Sequence, residues 1–303
     1  MNLNCNPAFL KTGDKIGITA TARKITYREI EAAVGILKRW GLIPVIAQTI
    51  DADHFQFAGN DSLRTAEFQS MLDDESIKAI LFARGGYGTA RIIDAISWHR
   101  FIEQPKWLCG FSDITVIQSH LLSNYGMPSI HSLMAINFET ATSESIESLR
   151  RILFGDKIFY SIQPHILNRH GVTNGILCGG NLSVLQGLIG TVSDINTKNK
   201  LFFIEDIDEH LYHVDRMIVS LKRAGKLKQL SGLIIGKFTA MKNKDDRNPF
   251  GKSAYEIVAG HVTEYDYPVC FEFPAGHEPD NRALTIGTEW HLDVGNEVRI
   301  SQL

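Results

Sequence analysis

The chain has 303 residues, 44% hydrophobic and 21% charged, a composition suited to one large or two ordinary globular domains. Lysine plus arginine (31) against aspartate plus glutamate (34) leaves a formal net charge of −3, which argues against a nucleic-acid or membrane-surface footprint. The four cysteines (Cys5, Cys109, Cys178 and Cys270) are far apart with no Cys-x-x-Cys pair, so neither a disulfide framework nor a zinc ribbon is expected.

In chain order, the opening "MNLNCNPAFLKTGDK" lacks a basic start followed by an apolar core, so no signal peptide is expected. No apolar run is long enough for a transmembrane helix, and a cytoplasmic protein is the default expectation. Residues 15–20 read as a strand. Thr26, with Glu29 three positions later, forms a capping box that opens a helix toward Trp40. A strand at 43–47, a helix at 63–72 and a strand at 77–83 follow, then helix, strand and helix at 90–96, 107–111 and 114–122. This alternation predicts a parallel sheet covered by helices on both faces.

Past Phe154 the texture changes. "GDKIFYSIQPHILNRHG" carries turn residues and no helical period, and is read as the crossing into a second domain, dividing the chain into 1–155 and 156–303. Strands at 201–205 and 230–237 alternate there with helical runs at 182–189, 212–222 and 254–261. Short strand-like pieces at 282–286 and 297–301 end the chain.

Four stretches carry chemistry. In "ILFARGGYGTARIID" a buried strand feeds Arg84, Gly85, Gly86, Tyr87 and Gly88 before a helix. Glycines there free backbone N–H groups to face an anion or oxyanion. A dinucleotide fingerprint would need glycine where Arg91 stands, so a tight turn without a ligand role stays open. In "CGFSDITVIQSH" a strand, Ser112 and a helix follow one another, the arrangement that exposes a nucleophile at the edge of an α/β sheet. The second glycine of the usual elbow is replaced by Ile114, and Ser112 and Asp113 are also favoured helix-start residues.

In "LFFIEDIDEHLYHVDRMI" a hydrophobic strand delivers Glu205 and Asp206, placed to orient a histidine as the third member of a triad does. His210 and His213, three apart and near carboxylates, leave a zinc reading open, although His-Glu-x-x-His is absent. In "FEFPAGHEPDNRALTIG" His277 sits in a polar, turn-rich loop, better placed for proton transfer than a histidine on a core helix. Ser112, Glu205 and His277 therefore run nucleophile, acid, base. That order places the site between the domains, where ligand pockets are common.

With these segments in view, the chain resembles the LD-carboxypeptidases (muramoyltetrapeptide carboxypeptidases) and their relatives, the microcin C self-immunity proteins. The resemblance runs through "GDKIGITATA", "FAGNDSLRTAEFQSMLDDESIKAILFARGGYGTARIID", "GFSDIT", "GGNLSVLQGLIGT", "FIEDIDEHLYHVDRM" and "FPAGHEPDNRALTIG". It implies an α/β fold: an N-terminal Rossmann-like parallel sheet flanked by helices, plus a smaller β-rich C-terminal α+β domain. It implies Ser112 as nucleophile, Glu205 as acid and His277 as base. The oxyanion hole would use the amides of Asp113 and of Gly86, with Gly85 as the alternative glycine. No metal and no cofactor is implied.

The substrate implied is a murein peptide, cut at an L,D bond to release D-alanine, by a homodimer with no nucleic-acid or membrane partner. A carboxypeptidase must also hold a free carboxylate. Arg84 is a candidate, beside Gly85 and Tyr87, against the competing reading of a structural ion pair within the turn. Where many members carry His-Gly-Pro, this chain has His131, Ser132 and Leu133, which bears on substrate fit near the cleft. The short stretch between Gly190 and Leu201 favours the cell-wall branch over peptidases acting on aminoacyl-nucleotides. A non-catalytic nucleotide-binding module remains the reading from another class.

Overall fold

The structure, a computed structural model, describes residues 6–303; Cys5 and the first residues of the N-terminal stretch lie outside the described residues. Strand β1 (Lys15–Thr19) buries Ile16 and Ile18 and leads to helix α1 (Tyr27–Arg39). The predicted capping box is present: the Glu29 carboxylate accepts from the Thr26 N–H and hydroxyl, both at 2.8 Å. Ile30, Ala33, Val34 and Leu37 then fall on one buried stripe, the helical period the sequence carries.

The chain continues through β2 (Ile43–Ile46), α2 (Asp61–Asp73), β3 (Ile77–Phe82), α3 (His99–Glu103), β4 (Trp107–Gly110), α4 (Thr115–Tyr125), β5 (Ser129–His131) and α5 (Ser143–Phe154). These strands form a parallel sheet in the order β2-β1-β3-β4-β5. Helices α1 and α5 pack into one apolar cluster, while α2, α3 and α4 pack into another on the opposite face. The direction of winding reverses between β1 and β3, so the loops leaving these two neighbours diverge and open a crevice at their carboxyl ends.

Beyond α5 come β6 (Phe159–Ile162), β7 (Gly171–Asn181), α6 (Leu182–Gly187), β8 (Lys200–Ile207), α7 (Leu211–Arg223), β9 (Gly232–Thr239), α8 (Ala254–His261) and β10 (Val269–Cys270). The remaining strands are β11 (Leu284–Ile286), β12 (Glu289–Val294) and β13 (Val298–Gln302). The second sheet has the order β10-β9-β8-β7-β12-β13-β6. Strands β7 to β10 are parallel and are covered by α6, α7 and α8 around Phe202, Met217 and Val258. Strands β12, β13 and β6 are antiparallel.

Two predicted elements differ. Residues 90–96 form two short 3₁₀ turns, Thr89–Arg91 and Ile93–Ala95, rather than a helix. The Thr89 N–H donates to Asp113 and its hydroxyl pairs with Thr21, both at 2.8 Å, so the start of the segment is pinned while Ile92, Ile93 and Ile96 all reach the core. The strand expected at 282–286 does not extend the second sheet. As β11 it pairs antiparallel with β5 and closes the free edge of the first. Its three residues are all buried, which local alternation could not assign to either sheet. Cys109 and Cys178 are buried core residues, and burial pushes the Cys178 thiol up to about 12. Among the described residues no helix is long and apolar enough to cross a membrane.

Candidate active site

The serine turn follows from the way β4 ends. All four residues of β4 are buried, Phe111 continues extended, and the chain then reverses at Ser112 with φ +61°. This is the left-handed region, disfavoured for a residue with a Cβ. One 3₁₀ turn, Ser112–Ile114, leads into α4, so Ser112 stands at the start of a helical run. Gly85, just past β3, makes room for it. A Cβ on Gly85 would lie 3.1 Å from Ser112 Cβ, 3.2 Å from Ser112 Oγ and 3.4 Å from the Asp113 nitrogen. Next to it, Gly86 has φ +109°, a conformation that glycine adopts without strain.

The Asp113 side chain is buried and its Oδ2 accepts the Thr89 N–H at 2.8 Å, tying the serine turn to the exit of the glycine turn. Burial raises the Asp113 pKa, and the hydrogen bonds from Thr89 oppose that rise. The residue that reads as a cap in the sequence therefore holds two loops together through its side chain, leaving its backbone N–H beside the serine.

Strand β8 buries Glu205 completely near its carboxyl end, at an irregularity in the pairing with β9 between Ile204 and Asp206. Glu205 Oε2 accepts the Nδ1–H of His277 at 2.8 Å. The histidine loop can approach this closely because Gly276 precedes it: a Cβ there would lie 3.1 Å from Glu205 Oε2. The imidazole packs on Phe111, the residue before Ser112, with ring centroids 4.7 Å apart. Burial alone would lower the His277 pKa. The Glu205 charge and hydrogen bond outweigh burial, and the net shift is upward.

Asp206 carries a different network. Its carboxylate accepts from Asn181 Nδ2 at 2.9 Å, from the Ser183 N–H at 3.0 Å and from the Ile207 N–H at 2.9 Å. Burial first, and the neighbouring Glu205 second, push it up to about 7. The Asn181 N–H in turn donates to Thr115 Oγ1 on α4 at 3.0 Å, so the strand that delivers the acid is linked to the helix behind the serine. Asn181 was not singled out in the sequence, although it is the asparagine of "GGNLS" and its side chain caps α6.

His131 is fully buried between the rings of Phe111 and Phe203, at 5.7 and 4.9 Å, and burial lowers it to about 4. The segment it opens does border the cleft. Leu133 lines a cavity of about 270 Å³ together with Phe111, Asn137, His277 and Pro279, drawn from both sheets' loops.

The fold thus gathers Ser112, Asp113, Gly85 and Gly86 at the ends of β3 and β4, and sets the Glu205–His277 pair against them through Phe111. Other predicted residues lie elsewhere or face away. Arg84 turns its guanidinium toward the Lys24 carbonyl at 3.2 Å and toward Glu29 at 3.7 Å, an ion pair with helix α1 rather than one within the turn. Tyr87 is half exposed and its ring lies 6.3 Å from that of Phe57. His210 stacks on Tyr212 at 5.7 Å, whereas His213 bonds Glu209. Among the described residues no three His, Cys, Asp or Glu side chains converge to hold a metal ion.

Comparison with known proteins shows the family and the fold. The LD-carboxypeptidase N-terminal domain matches residues 16–132, and the LD-carboxypeptidase C-terminal domain matches residues 174–292. The chain is 29% identical, over 99% of its length and 95% of the relative's, to a Bacillus subtilis protein named "Probable murein peptide carboxypeptidase". It is 26% identical to the murein tetrapeptide carboxypeptidase of Pseudomonas aeruginosa, with 94% of each chain covered. The crystal structure of muramoyltetrapeptide carboxypeptidase from Oxalobacter formigenes superposes with a TM-score of 0.85 at 25% identity, covering 95% of this chain and 98% of that one. The microcin C7 self-immunity protein shares the fold, with a TM-score of 0.88 at 22% identity, covering 98% of each chain. Both domain models match in order across the two sheets that hold the serine turn and the Glu205–His277 pair, and the chain belongs to the LD-carboxypeptidase family.

Proposed function

We propose that the protein is a serine carboxypeptidase that cleaves an L,D peptide bond and releases terminal D-alanine from murein-derived tetrapeptides. The observation that carries this reading is the Glu205–His277 hydrogen bond, brought from the second sheet against the residue that precedes the left-handed Ser112. The division of labour follows the chain: residues 1–155 supply the nucleophile and residues 156–303 the acid and base.

Ser112 Oγ attacks the scissile carbonyl carbon as His277 Nε2 takes its proton, and Glu205 orients the imidazole and stabilises the imidazolium. The oxyanion of the tetrahedral intermediate is received by the backbone N–H groups of Asp113 and Gly86. His277 then protonates the leaving nitrogen of D-alanine. A water attacks the acyl-serine with His277 again as base, and collapse returns the proton to Ser112 and frees the tripeptide acid. The helical run after Ser112 adds a favourable field for the developing negative charge. The family resemblance further supports a homodimer acting in the cytoplasm on recycled wall peptides.

The test is incubation with a murein tetrapeptide and measurement of free D-alanine, with Ser112→Ala alongside. Release by the native protein and loss in the folded variant are expected. Undiminished release by Ser112→Ala would overturn the serine mechanism.

A further inference from the structure

We infer that Arg23 binds the terminal carboxylate of the substrate, and so makes the enzyme a carboxypeptidase rather than an internal peptidase. This inference rests on the proposed hydrolysis at Ser112 and specifies the leaving-group side of the same site.

Arg23 leaves the carboxyl end of β1, and Gly85 and Gly86 leave that of β3. These two neighbouring strands flank the point where the winding of the sheet reverses, and open α/β sheets bind ligands in such a crevice. The two loops are joined by the Arg23 N–H, which donates to the Gly85 carbonyl at 3.3 Å. The Arg23 side chain then runs across Gly86: a Cβ on that glycine would lie 2.4 Å from Arg23 Cδ and 2.7 Å from Cγ. Gly86 is therefore bare on the side the arginine crosses, so its left-handed backbone and the aliphatic stem of Arg23 form one surface.

Distance along the turn sets the register. The Gly85 Cβ position is 3.2 Å from Ser112 Oγ, and Gly86 is the next residue. In a peptide bound for release of its last residue, the attacked carbonyl carbon and the terminal carboxylate carbon are one residue apart, about 3.8 Å of chain. The Arg23 stem crosses the residue that follows the one packed on Ser112, and the assignment puts its guanidinium on the leaving-group side of the attacked carbonyl. The acyl part of the peptide is left to the cavity lined by Phe111, Leu133, His277 and Pro279.

The other cations around the turn are already paired with carboxylates. Lys24 pairs with Asp53, the buried Arg64 and the exposed Arg91 share Asp61, and Arg84 faces Glu29. Arg23 is exposed, and among the described residues no carboxylate pairs with it. Its planar fork matches a carboxylate with two parallel hydrogen bonds, which a lysine does not reproduce.

The experiment compares a tetrapeptide ending in a free D-alanine carboxylate with the same peptide ending in a carboxamide. Native protein, Arg23→Ala, Arg23→Lys and Arg84→Ala are assayed for kcat and KM. Arg23→Ala is expected to lose about 10²-fold in kcat/KM on the free acid and to leave the amide unchanged. Arg23→Lys should recover part of the loss, and Arg84→Ala should keep the preference for the acid. Equal losses on both peptides, no loss on either, or a lost preference in Arg84→Ala each overturn the assignment while leaving hydrolysis at Ser112 intact. Calorimetric binding of both peptides to Ser112→Ala and to Ser112→Ala/Arg23→Ala reads recognition without chemistry. A tenfold or greater weakening confined to the free acid supports Arg23, and equal affinities overturn it. Native protein that cleaves neither peptide overturns the hydrolase reading instead.

Discussion

His277 donates its Nδ1–H to Glu205 Oε2 at 2.8 Å, although the two residues are 72 positions apart. Glu205 lies near the carboxyl end of a buried strand, His277 sits in a loop, and Gly276 gives that loop the clearance to reach the carboxylate. The arrangement fixes which ring nitrogen carries the proton and leaves the other to face the cleft.

The first prediction concerns pH. His277 must be neutral to accept the serine proton, and its folded pKa lies above the ordinary 6.5 because Glu205 outweighs burial. The acid limb of kcat/KM should therefore fall above that value, with activity lost as pH drops through it. In Glu205→Gln the largest opposing charge and its hydrogen bond are lost while burial remains, so the limb should move to lower pH while kcat falls about 10⁴-fold. A pH–rate profile of both proteins checks the direction of the shift. An unmoved limb would refute the pairing as the cause.

A second prediction separates strain from chemistry at Ser112. Its φ of +61° disfavours any side chain. Ser112→Gly should raise the urea midpoint, by about 1 kcal/mol of stability, and still abolish D-alanine release. Ser112→Ala should lower activity about 10⁴- to 10⁶-fold without the gain in stability. Denaturation curves and a D-alanine assay read the two effects independently.

Gly85 supplies the third. A methyl group there would meet Ser112 Cβ and Oγ at 3.1 and 3.2 Å, so one of them must shift by a few tenths of an ångström. Gly85→Ala should lower kcat about 10²-fold with a much smaller change in KM and in thermal midpoint. Native kcat in this variant would show that the serine turn has slack.

The fourth follows from Asp206, which burial and Glu205 raise from 3.8 to about 7. A raised folded pKa means that Asp206 contributes most to stability at low pH and that this contribution is lost as pH rises from 3.8 to about 7. Asp206→Asn should flatten the pH dependence of the urea midpoint across that window. An equally steep dependence in the variant would point to other groups.

Much of this was legible in one dimension. The βα alternation of residues 15–122, the capping box at Thr26 and the buried runs leading to Ser112 and Glu205 are consequences of local period and propensity. The local pattern therefore specified β1 to β4 and helices α1, α2 and α4 to within about three residues, whereas α3, β5 and α5 were not read from it. Failures came where the deciding contacts are distant. The 90–96 segment gave up its helix because Asp113 and Thr21 hold Thr89. Strand β11 joined the first sheet because β5 offered a free edge. The partner of Arg84 was likewise distant: Glu29 lies on helix α1, outside the turn.

The sequence by itself determined the chemical inventory: a serine at a strand-to-helix turn, an acid at a strand end, a histidine in a polar loop and glycines before a helix. These are local properties, set by residue type and by the period of the flanking elements. Only the tertiary structure decided which members of that inventory meet. It set His277 on Phe111 and Glu205, pressed Gly85 against Ser112, and stretched Arg23 rather than Arg84 over Gly86. The physical reason is that each of these contacts joins residues from different strands or sheets. Their formation depends on loop closure and burial across the whole chain, which no local pattern records. For "CGFSDITVIQSH" the outcome is a serine in the left-handed region packed against Gly85, whose missing side chain leaves room for it.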